Sequence, residues 1–230
     1  MDYEKIKFAT LEAYKQLNIK SFPVDCVDAL HKLGMKVQTY SEQKPKKKVK
    51  CYEYSEDAFT LKKIVYYNEL MPQSRINFTL AHEIAHIILK HSAPRTDEHE
   101  READCFASYF LAPRMAIHYS ECKNHVHVSK LFNISYEAAQ YAFDDYRRWY
   151  RRTIYHKMTP FDKTIYSYFY DKGQDKFIYN IKECIYCKRK IYNTQSAICG
   201  PCNVSYRYRY TPQQDMDFLI AESNWLYGGL

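Results

Sequence analysis

Apolar residues recur at helical spacing from the start of the chain. Ile6, Ala9, Ala13 and Leu17 of DYEKIKFATLEAYKQL share one face and predict an amphipathic helix. PVDCVDALHKL predicts a second, with Pro23 near its start and Gly34 just beyond its end as a left-handed cap. MKVQTY then reads as a strand, and DAFTLKK and KIVYYN as two more. The intervening lysine run KPKKKVK (44–50) has no period and one proline, which predicts a solvated loop rather than a nucleic-acid patch. A helix over 76–91 comes next, then the loop HSAPRTDEHE and a helix over EREADCFASYFLA that Pro113 ends. HVSKLF and, from an N-cap at Ser135, YEAAQYAFDDYRRWYRR predict helix, turn and helix, with Ala139, Phe143, Tyr146 and Tyr150 at core spacing. Residues 153–180 are aromatic and have no regular period.

Within the helix over 76–91, FTLAHEIAHIILKH puts two histidines and a glutamate among alanine, isoleucine and leucine. At about 100° per residue, His82, Glu83 and His86 fall within an arc of roughly 100°, while Ala81, Ile84, Ala85 and Ile88 fill the rest. Burying imidazoles and a carboxylate beside isoleucines costs several kcal/mol unless something satisfies them, as a divalent cation does. This is HExxH: the i, i+4 step brings two imidazoles to one zinc, and Glu83 stands beside the water position as a general base. Five-residue strings also match by chance, so a third ligand decides. Leu89 and Ser92 stand where the extended metzincin pattern needs glycine and histidine, which points to an acidic ligand instead. The next helix offers Glu98, His99, Glu100, Glu102 and Asp104. Glu100 lies at the border of the apolar face formed by Ala103, Phe106, Ala107 and Phe110, whereas Glu102 points toward the solvent edge. Asp104, one turn on, is placed to hold a ligating histidine in its tautomer.

PVDCVDALHKLGMKV, KIVYYN, RINFTLAHEIAH, EREADCFASYFLAP and SKLFNISYEAAQYAF, in this order and spacing, resemble the ImmA/IrrE family of HExxH metallopeptidases over about residues 20–148. The resemblance implies a zincin-like domain with a helix-turn-helix-like bundle, and cleavage of a helix-turn-helix transcriptional repressor, often one encoded beside the protease on a phage or integrative element. On that pattern His82, His86 and Glu100 are zinc ligands and Glu83 is catalytic. The resemblance does not extend to the aromatic stretch or to the cysteine-rich region C-terminal to it.

Eight cysteines change the picture at the C-terminal end. Cys184 and Cys187, then Cys199 and Cys202, form two CxxC pairs that read as a closed tetrathiolate zinc site, while Cys26, Cys51, Cys105 and Cys122 are scattered thiols. Gly200 and Pro201 suit a tight turn inside the second pair. Residues 146–210 hold a charge of +10 within a net +7, so the remainder sums to −3. KRK at 188–190 and SYRYRY at 205–210 interleave cations with aromatics, a surface suited to protein docking or, as a rival, to nucleic acid.

The sequence therefore predicts an α+β fold: a zincin-like, mainly helical domain with a small sheet (1–122), a helix-turn-helix-like segment (123–152), an aromatic connector (153–181), and a zinc ribbon with its tail (182–230). It predicts two zinc ions, one catalytic and one structural, and a zinc endopeptidase acting on a repressor. The alternative is a non-catalytic zinc-ribbon regulator binding DNA or protein. No run of about 18 apolar residues and no apolar leader are visible, which predicts no membrane partner and a cytoplasmic setting.

Overall fold

Asp2 starts the first helix by accepting from the backbone N–H groups of Glu4 and Lys5, and α1 (Tyr3–Leu17) ends where Asn18 turns left-handed. Asp25 caps α2 (Cys26–Lys32) in the same way, and Gly34 turns the chain at φ 76° into β1 (Lys36–Thr39). These elements open a computed structural model that describes residues 2–92, 94–155 and 158–204, with backbone only at 154 and 155. The chain forms two compact units, residues 1–180 and 181–230.

In the first unit the three expected strands form one mixed sheet. β3 (Ile64–Tyr67) lies between β1, its parallel neighbour, and β2 (Ala58–Leu61), its antiparallel one. The lysine run is not a loop. It forms α3 (Pro45–Tyr54), with Pro45 in the first turn and Cys51 buried against Tyr40 and Tyr66. Lys47 shows why periodicity misleads here: its ammonium sits 4.4 Å from the Tyr66 ring centre and donates to the Tyr66 hydroxyl at 2.8 Å.

The core is built on α4 (Gln73–Ile88) and α5 (Asp97–Leu111), which pack extensively against each other. Leu80, Ala81, Ile84 and Ala85 of α4 and Ala103, Phe106, Ala107 and Phe110 of α5 are all buried in one cluster. Alanines on both helices permit axes near the close end of the usual 8–10 Å range. Tyr14 of α1 stacks on Phe110 and donates to the carbonyls of Tyr109 and Phe110, satisfying the C-terminal end of α5.

Past Pro113 the chain re-enters helix as α6 (Arg114–Tyr119), an element the stop signal at Pro113 conceals. α7 (His125–Phe132) and α8 (Tyr136–Tyr155) are the expected pair, joined through Asn133 at φ 52°, with Ser135 accepting from the Ala138 N–H. Their inward residues Val128, Phe132, Ala139 and Trp149 join the same core; Tyr150, expected inside, is 41% exposed. The aperiodic stretch is ordered by tertiary contact: α9 (Pro160–Phe169) and the hairpin β4 (Tyr170–Asp171) and β5 (Lys176–Phe177) bury Ile165, Phe169 and Phe177 in this core. In the second unit β6 (Ile181–Glu183) pairs antiparallel with β7 (Lys190–Tyr192). The fold is thus α+β, mainly helical with small sheets. No helix among the described residues is long and apolar enough to cross a membrane.

Asp162 ties three helices of this unit together. Its 1%-exposed carboxylate accepts from Arg114 of α6 at 2.9 Å, the Trp149 indole of α8 at 3.0 Å and the Thr159 hydroxyl at 2.8 Å. Burial alone would raise its pKa, but these donors hold it below the usual carboxylate range. A depressed folded pKa means stability present above the unfolded value and lost as pH falls through the folded one. Asp162→Asn should cost about 3 kcal/mol at neutral pH, the low end for a broken buried pair, because Arg114 keeps some solvent. In urea unfolding the gap between variant and parent should narrow as pH falls below about 4.

Candidate metal centre

His82, Glu83 and His86 project from the C-terminal half of α4, and Glu100 from the first turn of α5. Thr96 fixes that first turn, accepting from the His99 N–H while the His99 ring accepts from the Thr96 N–H. The pairing of α4 with α5 closes the constellation. His82 Nε2 lies 2.9 Å from His86 Nε2 and 3.0 Å from Glu100 Oε2, and His86 Nε2 lies 3.6 Å from the same oxygen.

These three atoms fit one divalent ion. Ligand atoms 2.0–2.1 Å from a tetrahedral zinc stand about 3.3 Å apart, a value the observed separations bracket. Both histidines present Nε2, and both have Nδ1 engaged behind. His82 Nδ1 meets Asp104 Oδ1 at 2.9 Å, as the one-turn spacing from Glu100 leads one to expect; a carboxylate there accepts, so Nδ1 carries the proton and Nε2 its lone pair. His86 Nδ1 meets His91 Nδ1 at 2.9 Å. Burial, aided by Arg95 and the neighbouring imidazoles, pushes His86 down to about 3, so this ring is neutral and available as a ligand. Burial lowers His82 as well, but Asp104, Glu83 and Glu100 outweigh it and the net shift is upward.

Glu83 is buried between α4 and the sheet. Its Oε2 accepts from the Thr60 hydroxyl of β2 at 2.6 Å and from Arg95 Nη2 at 3.2 Å, and Oε1 faces Arg95 Nη1 at 3.4 Å. Neither partner was legible in the sequence. Thr60 is an ordinary strand residue, and Arg95 carried only the weak signal of a lone cation in the loop HSAPRTDEHE. His91 and Glu102 were also missed. The chain leaves α4 at Ile88 instead of running helical to 91, and Glu102, expected at the solvent edge, is mostly covered and meets His91 Nε2 at 3.1 Å.

The family model for the IrrE N-terminal-like domain of peptidase family M78 matches residues 30–144, half of the chain. The chain belongs to that family. The family is, by its name, one of peptidases. No curated protein matches the sequence of this M78 chain. Among solved structures, a Mycobacterium tuberculosis transcriptional regulator is similar at 13% identity and a TM-score of 0.41; the match covers 59% of this chain and 45% of that one, so this chain spans less than half of that protein's length.

The second unit of the M78 chain gathers the four paired cysteines, with ligand atoms all within 4.8 Å of one another. Cys187 and Cys199 sulfurs are 3.6 Å apart, close to the roughly 3.8 Å edge of a tetrahedron with 2.3 Å zinc–sulfur bonds. Lys188 takes the left-handed conformation that turns the first knuckle, and its N–H donates to the Cys184 carbonyl. Backbone amides, those of Cys187 and Cys199 foremost, hold the Cys184 thiol down to about 6, which favours the thiolate that a metal takes. Cys184 and Cys199 are also the buried side chains among this unit's described residues, so the clustered thiols themselves are its core. Of the flanking cations, Lys188, Arg189 and Lys190 are exposed; SYRYRY lies outside the described residues.

Metal analysis separates the two groups. Parent protein should carry two zinc ions per chain. Glu100→Ala should drop this to one with the helical unit intact, whereas Cys199→Ala should drop it to one and make residues 181–204 sensitive to limited proteolysis.

Proposed function

We propose that this chain is a zinc-dependent endopeptidase that cleaves a helix-turn-helix transcriptional repressor, relieving repression of a phage or mobile element. The observation that carries the catalytic part is the convergence of His82 Nε2, His86 Nε2 and Glu100 Oε2 beside a buried, hydrogen-bonded Glu83. The repressor as substrate is supported by the likeness to ImmA/IrrE proteins, over five segments in order.

Bound zinc would supply Lewis-acid polarisation of water and of the scissile carbonyl. Glu83 accepts the proton of the attacking water and returns it to the leaving amine. Thr60 and Asp104 keep Glu83 and His82 in place through the cycle, Thr60 by donating to Glu83 Oε2 and Asp104 by accepting from His82 Nδ1. Arg95, one-third exposed at the site's rim, has to release at least one Glu83 oxygen before that proton can arrive. The second unit contributes binding rather than chemistry: exposed Ile185 and Tyr186 beside Lys188, Arg189 and Lys190 form an apolar and cationic face suited to a protein partner.

One observation favours the rival reading of a non-catalytic regulator, namely that Arg95 and Thr60 occupy both carboxylate oxygens of Glu83. Cleavage decides between them. Purified protein incubated with the repressor encoded beside it should cut that repressor, and a chelator should stop the reaction. Glu83→Gln should keep its full zinc content and lose activity by at least about 100-fold. Equal cleavage by the zinc-loaded variant, or none by the parent with any neighbouring repressor, rejects the peptidase reading.

A further inference from the structure

The end of α4 is built from a non-glycine residue in a conformation that favours glycine. After Leu89 the chain turns at Lys90, φ 58°, where its N–H donates to the Ile87 carbonyl and the next N–H, of His91, donates back to the carbonyl of His86. That pair of bonds is a Schellman motif, and a lysine at its left-handed position is strained relative to glycine. The turn folds the His91 ring onto His86, with Nδ1 facing Nδ1 at 2.9 Å. His91 is nearly covered, with a side chain 4% exposed; its Nε2 meets Glu102 Oε2 at 3.1 Å, and the His99 ring stacks on it 4.4 Å away.

A single requirement sets every proton in this row. If His86 offers Nε2 to a metal as a neutral ring, its Nδ1 carries the hydrogen and must donate. His91 Nδ1 must then accept, which moves its own hydrogen to Nε2, where Glu102 accepts it in turn. We propose that Glu102 and His91 are positioning residues for the metal ligand His86, holding its ring angle and tautomer through two successive hydrogen bonds. The inference rests on the zinc-peptidase reading and adds to it two residues that touch neither substrate nor metal. His82 is held by one carboxylate directly, through Asp104, and His86 by one carboxylate at a remove. In both cases acceptor contact behind the ring raises the basicity of the nitrogen in front.

The test uses the full zinc-loaded chain. Long-range proton–nitrogen correlation spectra of the parent should show His86 protonated at Nδ1 and His91 at Nε2. A proton on Nδ1 of His91 overturns the proposal without any variant having to fold. In chelator competition, with the cysteine-site zinc as internal reference, His91→Phe should weaken zinc at the histidine centre by about 10-fold or more, the usual range for lost supporting bonds. His91→Asn, whose amide oxygen replaces Nδ1 as acceptor, should recover most of that loss. Parent-like affinity in His91→Phe, or equal loss in both variants, overturns the positioning role and leaves the peptidase reading standing. If the parent itself holds no zinc at His82 and His86, both fall.

Discussion

Two imidazoles and a carboxylate on the inward edge of an apolar helix are the constraint around which the larger unit is organised. Left alone in that setting they would destabilise the fold by several kcal/mol. What satisfies the imidazoles is the close packing of α5 on α4, which sets Glu100 and Asp104 on either side of His82 and brings Glu102 to the row behind His86. Buried alanines at 81, 85, 103 and 107 keep bulk out of the interface, so one set of side chains permits the approach and another uses it. Replacing those alanines with larger residues would therefore damage the metal centre through packing alone.

The environment of Glu83 comes from farther along the chain. Thr60 arrives on an edge strand and Arg95 on the connection between the two helices, so the candidate base is held by the sheet and by a loop at once. Its carboxylate is buried yet fully hydrogen-bonded, which reconciles a charge on the core side of a helix with a stable fold. The loop contact is the more exposed of the two and the easier to break, and the strand contact stays.

The two units solve the problem of stability differently. The first has an extensive apolar core that takes in α1 through the β4–β5 hairpin, with Asp162 and Tyr14 satisfying buried polar ends where helices meet. In the second, the buried side chains among the described residues are two of its four clustered thiols, in place of an apolar core.

Periodicity and ligand spacing were enough to read α1, α2, the three strands, α4, α5 and the α7–α8 pair, and to single out His82, Glu83, His86 and the cysteine pairs. These signals are local: a helix repeats every 3.6 residues, and i, i+4 or CxxC spacing brings ligands together without help from distant chain. Glu100 and Asp104 were legible because the helical wheel places them at the border of an apolar face. Helix α3, the aromatic elements after residue 158, Thr60, Arg95 and the pairing of His91 with Glu102 were not. Lys47 on Tyr66, Ile165 in the core and a left-handed lysine that turns His91 backward leave no periodic trace. Sequence by itself determined which residues can share a metal; only tertiary packing decided which neighbours hold those residues in place, because such contacts join segments whose separation along the chain carries no pattern.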